Sequence, residues 1–247
     1  MAVKGIIKVW DEGKIIRENV QFLLRKTKNV VFPLNPEDKQ IIEDLIDTYN
    51  KIPSFGIAAN QIGYNKKIFI GRTNDSISEN NRNDYEIFIN PTIDSIVNDA
   101  LQEGIEGCLS ILGITLNVIR HEKIKVRYYT LDGKKETNLF TGFPSRLFQH
   151  ELDHLNGKLM LMRQVTTGIV EESNVFDLYE ELIKILSKPI MCPFYERNNI
   201  VPYKNKFHHN CTSPHLRGNC EELVEEFCVN ESKTYTSCKY FDKQTVL

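Results

Sequence analysis

Apolar residues recur along the chain in rhythms that sort it into elements. Ile41, Ile42, Leu45, Ile46 and Tyr49 follow the spacing of one helical face. Asn35 is a natural N-cap, Pro36 suits the first helical position, and Glu37 and Asp38 complement the helix dipole. With Pro53 as the stop, the pattern predicts a helix over 36–51. A second stripe, Val175, Leu178, Leu182, Ile185 and Leu186, predicts a core helix over 174–187. Ile124, Val126 and Tyr128 alternate with polar neighbours, Asp132-Gly133 marks a turn, and 134–140 reads as the return strand. Residues 67–70 and 85–89 are further strands, the latter stopped at Asn90-Pro91. Stretches 5–9 and 14–24 suit either strand or short helix, and 73–84 is a polar surface loop without chemistry. Strands in series followed by helices predict an α+β fold with antiparallel pairing. There is no internal repeat.

Three stretches break from this packing logic. Pro144-Ser145 opens a helix that Gly157 closes as a left-handed residue, and between them runs Gln149-His150-Glu151-Leu152-Asp153-His154-Leu155-Asn156-Gly157. On a helix, His150 and His154 stand one above the other, so both imidazoles can ligate one metal ion with Glu151 beside it as a base. The same residues also fit the polar face of an amphipathic helix that buries Leu147, Phe148, Leu152 and Leu155. Upstream, Ser54-Phe55-Gly56-Ile57-Ala58-Ala59-Asn60-Gln61 is a run of small residues ending in an amide, which permits close backbone approach. Glu103 to Ser110 is a glycine-flanked segment with a turn at Glu106–Ser110 around Cys108, a thiol that on its own would be read as buried and structural.

Composition narrows the class. The chain has 247 residues, 41% hydrophobic and 26% charged, enough for one good core and a smaller appendage. A formal net charge of −2 gives no bulk attraction to nucleic acid or membrane. No membrane span, signal peptide or transit peptide is legible, so a cytoplasmic location is expected. Cysteine usage divides the chain. Cys108 stands alone early, whereas Cys192, Cys211, Cys220, Cys228 and Cys238 crowd the last quarter. This shift predicts a catalytic domain over 1–187 and a cysteine-rich extension over 188–247. The extension has few large apolar side chains, and its cysteines with His208, His209 and His215 could hold a structural Zn²⁺ or an iron–sulfur cluster. Disulfides in an oxidising compartment are the alternative. A capped helix is expected over 219–228; unbroken, it would hold Cys220 and Cys228 roughly 12 Å apart, too far to share one Zn²⁺.

Taken together the three stretches resemble peptide deformylase. That family's Glu-Gly-Cys-Leu-Ser block is intact at Glu106–Ser110, and its Gln-His-Glu-x-Asp-His-Leu-x-Gly block is intact from Gln149 to Gly157. In its Gly-x-Gly-x-Ala-Ala-x-Gln block, Gly56, Ala58, Ala59 and Gln61 match and Ser54 replaces the first glycine. Asn90-Pro91 between blocks and Arg120 past the cysteine also fit, while Leu112 replaces a common proline. The resemblance covers residues 1–186 and leaves the extension unexplained. It implies an α+β fold of antiparallel sheets packed around a central metal-binding helix, to which cysteine clustering adds the small cysteine-rich C-terminal module. It further implies Cys108, His150 and His154 as metal ligands, Glu151 as proton carrier, and the Gln61 amide with the Leu109 backbone N–H as oxyanion donors. Asp153 and Gln149 are left as either ligand-orienting groups or helix-surface polar residues. The implied metal is Fe²⁺, though a thiolate with two imidazoles suits Zn²⁺ or another divalent ion as well. The implied substrates are N-formylmethionyl peptides on nascent chains near the ribosome, with no membrane or nucleic-acid partner. Two rivals stand beside this reading: a metalloprotease sharing the His-Glu-x-x-His pentad, and a binding protein that kept the fold and works through its tail.

Overall fold

The computed structural model describes residues 3–73, 85–163, 165–170 and 173–186, plus four two-residue strands, Tyr195–Glu196, Pro202–Tyr203, Lys206–Phe207 and Asn210–Cys211. The chain divides into two compact units, Met1–Tyr179 and Glu180–Leu247. The expectations for Cys192, Cys220, Cys228, Cys238, His208, His209, His215, the helix over 219–228 and the loop over 74–84 lie outside the described residues. Cys211 is placed through its backbone alone, opposite Tyr195 in a strand pair.

In the first unit, β1 (Trp10–Asp11) and β2 (Lys14–Ile15) form a small hairpin leading into α1 (Arg17–Leu23), which settles the ambiguous 14–24 stretch. Then come α2 (Pro36–Lys51), β3 (Gly56–Ala58), a 3-10 turn (Ala59–Ile62), β4 (Ile68–Arg72), β5 (Tyr85–Ile96), β6 (Leu101–Cys108) and β7 (Ile111–His121). They are followed by β8 (Lys123–Tyr129), β9 (Lys135–Thr141), α3 (Gly142–Leu155) and β10 (Val165–Val170); α4 (Ser173–Leu186) starts in this unit and its residues from Glu180 on belong to the second. All pairings in the two main sheets are antiparallel: one sheet runs β3-β4-β5-β8-β9, the other β10-β7-β6. No helix among the described residues is long and apolar enough to cross a membrane.

The five-stranded sheet is covered on both faces, and its sequence says so. Ile68, Ile70, Ile87 and Ile89 pack with Ile41, Ile42, Leu45 and Tyr49 of α2. Their alternates Phe69 and Phe88, with Ile124, Val126 and Tyr128, pack with Phe148, Leu152 and Leu155 of α3. Successive strand residues point to opposite faces, so the runs at 68–70 and 87–89 must be wholly apolar. Phe69 and Phe88 stack at 4.4 Å, and Phe148 meets them edge-on at 5.3 and 5.4 Å. The α2 cap is as expected, with the Asn35 side chain accepting from the Asp38 N–H at 2.8 Å.

Two expectations need correction. The strand begun at Tyr85 does not stop at Asn90-Pro91 but continues to Ile96 through a bulge, with Asn90 at φ +50°. The Asn90 side chain donates to Val30 O at 2.9 Å and accepts from Val30 N–H at 2.8 Å, anchoring the bulge. Pro91 is tolerated there because a bulge asks no ladder hydrogen bond of it. Similarly, the expected Glu106–Ser110 turn is confined to Leu109-Ser110: residues 106–108 belong to strand β6, paired along β7 from Leu101↔His121 onward.

Every residue of α3 from Pro144 to Leu155 is buried. Its C-terminus is tied to the start of the chain by Thr27, whose N–H and Oγ1 both donate to Leu155 O at 2.9 Å. Gly157 follows at φ +69°, and a Cβ there would stand 2.2 Å from Leu24 O and 2.6 Å from Leu24 C. Gly157→Ala is therefore expected to lower stability by about 2–4 kcal/mol, combining left-handed backbone strain with backbone overlap. The urea midpoint reports it, and an unchanged midpoint would show that the 24–27 segment yields freely.

Candidate metal centre

Strand geometry places the first two groups. Glu106 and Cys108 are two residues apart on β6 and point inward together, whereas Ile105 before them and Gly107 between them are exposed. Helix geometry places the next two, since His150 and His154 are one turn apart on α3 with ring centroids 5.0 Å apart. Cys108 Sγ lies 3.3 Å from His154 Nε2, and one donor atom from each of Cys108, His150 and His154 falls within 4.8 Å of the others. Ligands of one tetrahedral ion, at the usual bond lengths to sulfur and nitrogen, stand about 3.3–3.6 Å apart. A thiol and two imidazoles, all buried and converging from two elements, therefore fit a single divalent ion.

Behind the trio lies a charge network that accounts for its shape. Glu106 Oε1 accepts from Arg120 Nε at 2.9 Å and Arg146 Nη1 at 2.8 Å. Its Oε2 accepts from Arg120 Nη2 at 2.8 Å and lies 2.9 Å from His150 Nδ1. That last contact leaves His150 Nε2 free to face the centre. Arg120 also donates to Asp153, which is held in turn by Arg163, with Nε 2.7 Å away. Arg146 adds the carbonyls of Gly104 at 3.2 Å, Val118 at 2.9 Å and Gln102 at 3.0 Å. Gln149 pins α3 to the end of β7, donating to His121 O at 2.8 Å and accepting from His121 N–H at 3.1 Å. Asp153 and Gln149 are thus interior groups, and the reading of them as helix-surface residues is excluded.

Protonation follows the same contacts. Burial would push the Glu106 carboxyl up, but hydrogen bonds from Arg120 and His150 outweigh it and hold the group well below the carboxylate range. Burial opposes a charge on both imidazoles. At His154 it prevails and keeps the ring neutral; at His150 the pull of Cys108 and Glu106 overcomes it. A bound cation competes for the same imidazole nitrogen as that proton. Burial also raises the Glu151 carboxyl to about 7, against the charge of His150.

Glu151 sits beside the trio, and room for it comes from Gly56. A Cβ at position 56 would lie 2.7 Å from Glu151 Oε1. Gln61 is oriented by its own turn, with Oε1 accepting from Ala58 N–H at 2.9 Å. Its Nε2 is thereby turned to Ser110 Oγ at 3.3 Å and Cys108 Sγ at 3.6 Å. Gln61 O and Ser110 O accept from Ile7 N–H at 2.7 Å and Val9 N–H at 2.9 Å, so the N-terminal segment ties both sides of the centre together. Leu109 follows Cys108 at the end of β6. A cleft of about 970 Å³ opens onto Gln61, Cys108, Leu109, His150 and Glu151, and His154 lies beneath it. All six residues singled out in the sequence are therefore brought to one place. Glu106, Arg146 and Arg163 were given no role there. The spacing of Glu106 and Cys108, same-facing on a strand, was the available signal for the first; the arginines carried none.

An α+β core around a buried His-Glu-x-x-His helix, completed by a cysteine from a neighbouring strand, defines a metallohydrolase. The family model for polypeptide deformylase matches residues 13–168, and the chain belongs to that family. It is 30% identical over 176 residues to the peptide deformylase of Symbiobacterium thermophilum, covering 71% of this chain and 77% of that one. To that of Desulforudis audaxviator it is 34% identical over 144 residues, covering 58% and 88%. Among solved structures, an Acinetobacter baumannii class I type b peptide deformylase superposes with TM-score 0.56 at 29% identity, covering 66% of this chain and 100% of the other. A Plasmodium falciparum peptide deformylase gives 0.56 at 29% identity, covering 73% and 96%. The protein is a metal-dependent hydrolase that removes the formyl group from the N-terminal methionine of polypeptides.

Because Glu106 neutralises two buried arginines at once, Glu106→Gln should destabilise the protein by about 3–5 kcal/mol, the range for breaking a buried ion pair from one side. Urea unfolding with chelator present measures this apart from metal binding. A loss below about 1 kcal/mol, typical of an exposed ion pair, would mean that water reaches the network.

Proposed function

We propose that Cys108, His150 and His154 hold one Fe²⁺ ion, and that Glu151, Gln61 and the Leu109 amide carry the proton and charge changes of deformylation. The observation that supports this most is the convergence of one thiol and two imidazoles, from β6 and α3, beside a buried and unpaired carboxylate oxygen of Glu151. The donor set also accepts Zn²⁺. When bound, the ion supplies an acidified water and a Lewis-acid contact to the formyl oxygen. Glu151 accepts the proton of the attacking water and returns it to the departing amine nitrogen. Gly56 keeps its carboxylate close to the centre. Gln61 offers only its NH₂ to the cleft, because its oxygen is occupied by Ala58 N–H. It donates to the oxyanion as charge develops, and the Leu109 N–H, next to Cys108, is the second donor.

The apolar part of the remaining cleft wall, with Phe55, Ile105, Leu112, Phe143 and Leu147, suits a methionine side chain and the residues after it. The Acinetobacter baumannii enzyme has been crystallised with Met-Ala-Ser bound. We assign residues 1–187 to the catalytic domain and 188–247 to a separate cysteine-rich extension, which the family match ending at 168 and the cysteine clustering support. The substrate class supports a working place beside the ribosome, with the cytoplasm as the expected compartment.

Anaerobically purified protein assayed on formyl-Met-Ala-Ser and on an internal-peptide substrate tests the reading, together with metal analysis. Formate release without internal cleavage is expected. Internal cleavage would indicate a metalloprotease, and no turnover a binding protein. Glu151→Ala should keep its metal and lose at least about 10²–10⁴-fold in rate. Near wild-type turnover would remove Glu151 as proton carrier. Gln61→Leu should lower kcat by about 10²–10³ with metal content unchanged. A change confined to KM would instead make Gln61 a ground-state contact.

A further inference from the structure

The charged groups deep in the cleft are answered from within the protein. Glu106 is held by Arg120, Arg146 and His150, and Arg146 also reaches three backbone carbonyls. Arg72, the last residue of β4, lines the same cleft and differs. Its guanidinium lies over the Phe55 ring, 5.4 Å from the centroid, and its backbone N–H donates to Phe55 O at 3.0 Å. Phe55 in turn meets Phe143 edge-on, with centroids 5.0 Å apart. The Nε of Arg72 is shut off from water and has no hydrogen-bond partner. Among the described residues no carboxylate pairs with Arg72. Stacking on an aromatic face is worth about 0.5–1 kcal/mol at an exposed site. An unsatisfied buried donor forfeits about 1–3 kcal/mol, so the stack alone does not balance the position. A half-buried cation with no counter-charge among the described residues is left facing the substrate cleft.

We infer that Arg72 is a specificity-determining residue that receives a carboxylate side chain of the substrate, favouring formyl-methionyl peptides with Asp or Glu shortly after the methionine. This rests on the deformylase reading of the cleft. The chemistry is that of a guanidinium fork, which matches a carboxylate and is already partly desolvated by the Phe55 stack. In such surroundings the Coulomb attraction exceeds its value in bulk water. A glutamine of the same shape gains none of it. The exposed apolar rim, Ile105 and Leu112, cannot make this distinction.

The test compares kcat/KM for formyl-Met-Glu-Ser against formyl-Met-Gln-Ser, and formyl-Met-Ala-Glu against formyl-Met-Ala-Gln, all C-terminally amidated so that the side chain is the only carboxylate. At one of the two positions the metal-loaded protein should prefer Glu by about fivefold at low salt, as for a partly exposed ion pair. Raising the ionic strength to about 0.5 M should shrink the preference toward unity. Arg72→Met, which keeps an apolar stem, should abolish it, and Arg72→Lys should keep part of it. Each ratio is taken within one protein, so a general change in rate cancels. Equal kcat/KM within both pairs, a preference insensitive to salt, or one that survives Arg72→Met overturns the inference and leaves deformylation standing. Formate release from none of the four peptides removes both. If Arg72→Met does not fold, the wild-type ratio and its salt dependence decide.

Discussion

Glu106 carries a full negative charge into the interior, and two arginines and a histidine converge to keep it there. Arg120 brings β7 to the carboxylate, while Arg146 and His150 bring α3. Because one carboxylate receives all three, the register of β6 against β7 and the rotation of α3 are set by the same group. A network of this kind is weak evidence for stability, since desolvating so many charges offsets much of their attraction. What it fixes is geometry. Cys108 is two residues from Glu106 on one strand, and His150 is hydrogen-bonded to it from the other side. The donor trio is thus held by a group that takes no part in it.

The α3 helix shows why the arrangement needs charge at all. A helix lying between two sheets has no solvent face, so the polar half of an amphipathic sequence must find partners inside. Leu147, Phe148, Leu152 and Leu155 go toward the five-stranded sheet or its edges. Arg146, Gln149, His150, Asp153 and His154 meet polar groups of β6, β7 and the segments beside them. The two readings open at the level of sequence, metal motif or amphipathic stripe, turn out to describe two sides of one helix.

What was legible in the sequence was local. The α2 helix could be read from its cap and stripe, the β8–β9 hairpin from alternation and Asp132-Gly133, and α3 from its opening proline and closing glycine. The trio with Glu151 and Gln61 was legible because short blocks keep their residues at fixed spacing. What was not legible depends on partners far along the chain. Strand β5 passes Asn90-Pro91 only because Val30, sixty residues earlier, satisfies the Asn90 amide. Arg146 pairs with a carboxylate forty residues earlier, and nothing within a few residues of it announces this. Arg72 shows the same limit, since neither its stack on Phe55 nor its lack of a counter-charge among the described residues can be read from the end of an apolar strand.

The separation of the three donors along the chain bears on the order of assembly. His150 and His154 belong to one helix and come together as soon as it forms, whereas Cys108 arrives only when β6 docks against it. Before docking, the proposed ligand set offers only two donors; afterwards it is a three-donor seat open to the cleft. With the proposed ligand set, the free energy of ion binding belongs to folding as much as to binding, because the three-donor site exists only where β6 and α3 are packed together. An ion lost from such a seat would loosen the middle of the protein rather than its rim, so metal supply and the lifetime of the folded chain are coupled.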